Sequence, residues 1–374
     1  MVPAERRAIG LIGSSRRDMK GQGHRIFIDE LVRFAGGAGD PRLTAIAERA
    51  AAPLRVAVRG RPGVGRNTVA HALNRAGIAS GISAATRATA PADSTDLDVD
   101  VVVYVTAEVV KPEDSDAIAA ARRPALAVLT KADLAGFAGD GPIALAQTRC
   151  AHFSALVGVP MEPMIGLLAA AVLDDLLDAA SWAALRVLAD RQDDSAIFEG
   201  SFEGFLAADN PVPTEVRLRL LDTLDLFGVA LAVAALRQGN TATQVRALLR
   251  RVSCVDAVLD KVAAIGAEAR YRRVLDAVAE MEARAVSHDE VGARISEFLS
   301  RDDTVIARMA AAIDLAESTG LEVGPCHDPA AHLSRAMRWQ RYSRGPVSDV
   351  HRACGADIAR GSLRLWSAAC GESR

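Results

Sequence analysis

The feature that most constrains the fold is a strand that runs directly into a glycine-rich turn and then a helix, between residues 54 and 76. The first part alternates in hydrophobicity as a half-buried strand does, and the last part has helical spacing. This alternation continues to residue 160. Strand patterns cover Leu54–Val58, Val99–Val105, Ala125–Leu129 and 150–153, and helical patterns cover 67–76, 113–122 and 142–147. Strands that alternate with helices form βαβ units, so the region predicts a parallel sheet with flanking helices.

The sequence on either side of this region is helical. Residues 24–36 and 41–52 form two short helical patterns, and no strand pattern is found from Pro160 onward. We therefore expect a helical arm at 1–52, an α/β domain at 53–160 and an all-helical domain at 161–374. The expected fold class is α/β, a parallel sheet with flanking helices, followed by an all-helical domain.

Composition narrows the functional classes. The net charge of −3 argues against a globally basic nucleic-acid binder. The five cysteines are odd in number and scattered along the chain, which argues against a disulfide framework. A reducing compartment suits such a chain, so we expect a cytoplasmic protein.

The turn after the first strand has the spacing of a phosphate-binding loop, G-x-x-x-x-G-K-S/T. Its residues are Gly60, Arg61, Pro62, Gly63, Val64, Gly65, Arg66, Asn67 and Thr68. Glycines let such a backbone curl around a phosphate with its N–H groups inward, and the following helix adds a partial positive charge. The alternative is an ordinary glycine-rich turn between a strand and a helix.

Two positions of this loop depart from the motif. Arg66 stands where the motif has lysine, and Asn67 stands where it has serine or threonine. A guanidinium fork keeps the charge but does not replace a compact ammonium. An amide oxygen is a poor ligand for Mg²⁺, so the sequence supports phosphate binding more strongly than binding of a Mg²⁺ cofactor.

Two further segments point to a purine base. Thr130-Lys131-Ala132-Asp133 ends an apolar strand, and Ser154-Ala155-Leu156 follows the next predicted strand. With the phosphate loop, these segments resemble the translation-factor class of P-loop GTPases, which includes Era-like and dynamin-like proteins. That class recognises guanine through N/T-K-x-D and S-A-K/L. Three such motifs in order, each at the carboxyl end of a strand, stand where open α/β sheets bind ligands.

The resemblance implies a role for each matching residue, with GDP or GTP as the ligand. Asp133 would accept hydrogen bonds from N1 and N2 of guanine, and Lys131 would lie along the ring face. Thr130 would brace the loop, whereas Ser154 and Ala155 would present the O6 contact. Leu156 completes this motif at the nucleotide site.

The D-x-x-G motif of this class is missing. Its Asp helps to hold Mg²⁺ and its Gly senses the γ-phosphate, yet no glycine occurs between Gly81 and Gly136. Asp96 or Asp98 would have to replace the carboxylate, or else both are turn residues before the next strand. No Gln or His is placed to orient a hydrolytic water. We therefore expect a guanine-nucleotide-binding protein with weak or absent hydrolysis.

The segment Leu220–Gly228 and the helical arm resemble the helical region of bacterial dynamin-like GTPases. In that family the helices transmit nucleotide state to self-association or to membrane attachment. The resemblance implies a regulatory or assembly module whose partner is a second copy or a second GTPase-like chain, with a membrane surface as a further candidate. A plain helical bundle is the alternative. Two other functions stay open: an active GTPase completed by a partner chain, and a nucleotide-free helical scaffold.

Two minor patterns lie near the C-terminus. Four arginines with interleaved aromatics would suit an anionic lipid, RNA or an acidic partner, or would form a solvated helix face. They are Arg335, Arg338, Arg341 and Arg344. Potential zinc ligands lie at Cys326, His327, His332, His351 and Cys354, in a spacing that matches no zinc finger we can justify.

Overall fold

The computed structural model describes residues 22–86, 99–136, 141–190, 201–207, 211–286, 289–324 and 329–371. The chain forms two compact units, one of residues 55–262 and one that joins 1–54 with 263–374. This division differs from the expected boundaries at 52 and 160. Helices that follow the sheet, up to residue 262, belong with it, and the N-terminal helices belong with the C-terminal ones.

The unit 55–262 is built on a five-stranded parallel sheet with the order β2-β1-β3-β4-β5. Its strands are β1 (Leu54–Gly60), β2 (Ile82–Thr86), β3 (Val101–Ala107), β4 (Ala125–Thr130) and β5 (Met161–Met164). The central strands β3 and β4 are almost entirely buried, because parallel strands with helices on both faces leave no solvent face. β1 pairs with β3, β3 with β4 and β4 with β5, all in parallel, so their carboxyl ends share one edge.

Helices surround this sheet. They are α3 (Arg66–Gly77), α4 (Pro112–Ala119), α5 (Pro142–Val157), α6 (Gly166–Leu173), α7 (Ala179–Asp190), α8 (Phe202–Ala207), α9 (Thr214–Arg237), α10 (Ala242–Ser253) and α11 (Val255–Ile265). The last three residues of α11 fall in the other unit. The predicted fold class, a parallel sheet with flanking helices followed by a helical region, is confirmed.

The strand predicted at 150–153 is wrong, because these residues lie inside α5. Pro142 stands in the first turn of this helix, and Gly158 ends it in a left-handed conformation. Both are ordinary helix start and stop signals. The strand of this region is β5 instead, a four-residue segment that the sequence pattern missed together with the five-residue β2.

The unit of residues 1–54 and 263–374 is helical. Its helices are α1 (Gly23–Ala38), α2 (Pro41–Ala51), α12 (Ala267–Ala285), α13 (Glu290–Ser300), α14 (Asp302–Ser318), α15 (Pro329–Ser343) and α16 (Asp349–Gly371). Phe27 and Leu31 of α1 pack in one core with Tyr271 of α12 and Met309 of α14. Of the helices that the structure describes, none has the length and apolar character that a membrane crossing requires.

The four arginines of α15 and the residues after it do not form one exposed face. Arg335 is buried, and its Nε donates to Oγ of Ser362 at 2.7 Å. Arg338 lies over the Trp339 ring and donates to a backbone carbonyl. Among the potential zinc ligands, Cys326 and His327 lie outside the described residues. Over the described ranges, no group of three or more His, Cys, Asp and Glu side chains is placed to hold a metal.

Candidate functional site

The turn between β1 and α3 has the backbone of a loop that needs its glycines. Gly60, Gly63 and Gly65 have φ angles of 145°, 83° and 84°, which other residues rarely adopt. A Cβ atom at Gly60 would also lie 2.3 Å from the backbone oxygen of Val105. Gly65 directly precedes α3, so the first N–H groups of that helix open towards the loop.

Arg61 anchors this loop to the fold. Its Nε donates to Oδ1 of Asp114 at 2.8 Å, and the hydroxyl of Tyr104 donates to the same oxygen at 2.9 Å. The backbone N–H of Lys111 donates to the other oxygen at 3.0 Å. Burial alone would raise the pKa of Asp114, but the hydrogen bonds from Arg61, Lys111 and Tyr104 outweigh it and lower that pKa. We therefore assign Arg61 to holding the loop in place.

Replacing Asp114 by alanine should destabilise the unit 55–262 by about 2–3 kcal/mol, since Arg61 and Tyr104 lose a shared acceptor in a buried position. Urea denaturation followed by circular dichroism measures the loss. Glu113→Ala, at the exposed neighbouring position, is the matched control and should change the free energy of unfolding by less than about 0.5 kcal/mol. Equal effects of the two changes would contradict the anchoring role.

The loop after β4 is tied to the phosphate loop. The hydroxyl of Thr130 lies 2.7 Å from the carbonyl oxygen of Val64 and 3.0 Å from that of Thr106, and it is buried. It therefore braces the two loops against each other. Lys131 follows with a left-handed backbone (φ 53°), and a short 3₁₀ turn, Ala132–Ala135, carries Asp133.

Asp133 is a buried carboxylate, with 6% of its surface exposed. Burial raises its pKa, and the negative charge of Asp225 raises it further, against the opposing effects of its own backbone N–H and of Lys131. A buried carboxylate whose resolved hydrogen bond is to its own backbone gains from a ligand that brings hydrogen-bond donors.

A cavity of about 280 Å³ lies where these elements meet. Its walls come from the phosphate loop, the first turn of α3, the loop after β4, the start of α6 and one residue of α9. The lining residues are Val64, Gly65, Thr68, Val69, Thr130, Lys131, Asp133, Leu134, Ile165, Gly166, Leu167 and Asp225. Six predicted site residues are among them. Gly60–Gly63, Arg66 and Asn67, the phosphate end of the motif, are not.

Ser154, Ala155 and Leu156 do not line the cavity. They occupy the last turn of α5, where the Ser154 hydroxyl donates to the carbonyl of Val159 at 2.8 Å and Leu156 is 63% exposed. The structure therefore does not bring these three residues to the cavity that Asp133 lines. The motif was placed after a strand that is in fact a helix.

The segment that follows β5 lines the cavity instead of the end of α5. The N–H of Ile165 donates to the carbonyl of Ser253 at 3.0 Å, which fixes the start of α6. The first hydrogen bond within α6 runs from Ala169 to Ile165, so the N–H groups of Gly166 and Leu167 have no acceptor within the helix. A Cβ atom at Gly166 would lie 3.2 Å from Cγ2 of Thr68. Met164-Ile165-Gly166, an apolar end of a strand followed by glycine and a helix, is the signal that could have located this segment.

The described residues offer few candidate ligands for Mg²⁺ beside the glycine loop. Asn67 is exposed at the start of α3, and β2, which lies beside β1, ends at Thr86 without a carboxylate. Asp96 and Asp98, the candidate replacements, lie outside the described residues. No model of a protein family, no curated protein and no solved structure matches the chain.

Proposed function

We propose that the unit 55–262 binds a guanine nucleotide, with the base in the cavity and the phosphates at the glycine loop. The observation that carries this proposal is the position of Asp133, a buried carboxylate in a cavity bounded by a phosphate-loop backbone. Thr130 links the two loops by hydrogen bonds, so the base-reading and phosphate-binding ends are held in one rigid arrangement.

Each end of the nucleotide finds groups of suitable chemistry. Asp133 would accept from N1 and N2 of guanine, and the N–H groups of Gly166 and Leu167 would donate to O6. The stem of Lys131, which lines the cavity, would cover one face of the ring. The β- and α-phosphates would lie on the curled backbone at Gly63 and Gly65, at the positive end of α3.

Weak or absent hydrolysis belongs to the same proposal. The loop lacks the lysine and the Mg²⁺-binding hydroxyl of the motif, and Arg61 is engaged with Asp114. A protein that binds but does not turn over a nucleotide acts as a regulatory or assembly module, with its partner contacting the helices. The four described cysteines are free thiols, which suits the reducing cytoplasm in which we place the protein.

Binding should depend little on Mg²⁺ and should favour GDP over GTP. Asn67 is a weak metal ligand, so the added charge of the γ-phosphate is left without a neutralising ion. Fluorescent GDP and GTP are each titrated in the presence of Mg²⁺ and in the presence of EDTA. The affinity for GDP with Mg²⁺ should lie within about threefold of the affinity with EDTA, a difference of about 0.7 kcal/mol.

The same titration separates the alternatives. Asn67→Ser is the matched variant and should restore part of the dependence on Mg²⁺. A Mg²⁺-dependent preference of the wild-type protein for GTP would contradict the proposal and favour an active GTPase. Absence of binding to any nucleotide would favour a helical scaffold.

A further inference from the structure

Helix α9 is broken at one residue. Asp225 has φ 59° and ψ 174° in the middle of a helix that otherwise runs from Thr214 to Arg237. This combination lies at the edge of a backbone region that is essentially reserved for glycine, so the conformation costs free energy that the surrounding structure must offset. Strained residues of this kind cluster at ligand sites.

The break places Asp225 in the wall of the cavity. One carboxylate oxygen, Oδ1, accepts the N–H of the next residue, Leu226, at 2.6 Å. Within the described part of the chain, the structure shows no hydrogen bond or ion pair of Oδ2. That oxygen is the part of the side chain left for a ligand.

The second half of α9 is held close to α6. A Cβ atom at Gly228 would lie 2.5 Å from Cδ2 of Leu168, so a larger residue there would force the Leu168 side chain to shift. Leu168 lies two residues after Gly166, which lines the same cavity. The position of Asp225 relative to the start of α6 is therefore fixed by packing.

Asp225 and Asp133 bring two negative charges to one small cavity. Asp133 is more than nine-tenths buried, and among the described residues its one hydrogen bond is to its own backbone. A ligand edge that carries several N–H donors would pair with both carboxylates, and it would supply donors to the buried acceptors of Asp133. The edge of guanine has three such hydrogens, one on N1 and two on the 2-amino group.

We propose that Asp225 is a second base-reading residue, which accepts the 2-amino hydrogen that Asp133 leaves unbound. This inference rests on the proposed function and narrows the ligand to a base with a 2-amino group. Hypoxanthine, which lacks that group, would leave Asp225 and part of Asp133 without donors. This role would explain the strained break of α9, because an unbroken helix would not present this carboxylate at the cavity.

The test compares the affinities for GDP and for IDP in competition with fluorescent GDP. Wild-type protein should bind GDP about a hundredfold more tightly than IDP, because IDP lacks the 2-amino group and loses two charge-assisted hydrogen bonds. Asp225→Asn keeps the size of the side chain and removes its charge, and Asp225→Gly adopts the same backbone conformation without strain. Both should reduce the preference to about tenfold. Asp222→Asn, at an exposed position of the same helix, is the control and should leave it unchanged.

The outcomes separate this inference from the proposed function. If the wild-type protein binds GDP and both Asp225 variants keep the full preference over IDP, Asp225 is only a structural residue and the inference is wrong. If the wild-type protein binds neither nucleotide, the proposed function fails and the inference fails with it. Thermal melting shows whether each variant is folded, and Asp225→Gly should melt no lower than Asp225→Asn, because glycine relieves the backbone strain.

Discussion

Replacing Asp133 by asparagine should relax the preference for guanine towards xanthine. Guanine presents donors at N1 and N2, which a carboxylate accepts. Xanthine has an oxygen at position 2, to which the amide nitrogen of the substituted side chain would donate. Because Asp133 is buried, the mismatch of guanine with an amide is not relieved by water. We expect GDP affinity to fall by about 3 kcal/mol, roughly a hundredfold or more.

The measurement is a competition titration of wild-type protein and Asp133→Asn with GDP, XDP and ADP. The wild-type protein should reject ADP by several kcal/mol, since a site built to pair with a polar edge leaves groups unpaired with the wrong base. Asp116→Asn changes an exposed carboxylate of α4 in the same way and serves as the control. Equal affinities of the wild-type protein for ADP and GDP would contradict guanine recognition.

Turnover is the second large expected effect. Phosphoryl transfer is catalysed by positioning and by charge stabilisation, so loss of the lysine, the metal ligand and a water-orienting residue should compound. We expect the isolated protein to hydrolyse GTP at about 10⁻³ s⁻¹ or slower, the range of a slow intrinsic GTPase. Phosphate release under single-turnover conditions measures this rate.

The variant Arg66→Lys with Asn67→Ser restores the loop chemistry and leaves the rest of the site unchanged. It should bind Mg²⁺-GTP more tightly than the wild-type protein, and its turnover should stay near zero. Fast hydrolysis by the wild-type chain alone would contradict a non-hydrolysing protein. Hydrolysis that appears only after a second GTPase-like chain is added would show that a partner completes the site.

The phosphate loop was predictable because its geometry is local. The spacing of Gly60, Gly63 and Gly65 after an apolar strand predicted a curled backbone, and the positive φ angles of these glycines fit that prediction. The bracing role of Thr130 was implied by the resemblance. The structure places its hydroxyl 2.7 Å from the carbonyl oxygen of Val64, a contact between residues 66 positions apart.

Other parts depended on contacts that a local pattern does not carry. Ser154 to Leu156 matched a three-letter motif, but Pro142 and Gly158 enclose them in one helix. The strand β5 has only four residues, one of them Pro163, and such short segments give little periodic signal. The union of the first 54 residues with the C-terminal helices is a long-range packing arrangement. Asp225 lies in an ordinary helical pattern, so nothing local marked the break.

Hydrogen–deuterium exchange of the wild-type protein with and without saturating GDP tests the central claim most directly, because it reports both binding and its location. Guanine-nucleotide binding in the cavity predicts slower exchange in peptides that cover 60–69, 130–135 and 165–168. The matched internal control is 154–156, at the end of α5, where exchange should not change. Protection of 154–156 without 165–168, or no protection at any concentration of GDP, would contradict the assignment of this cavity as a guanine-nucleotide site.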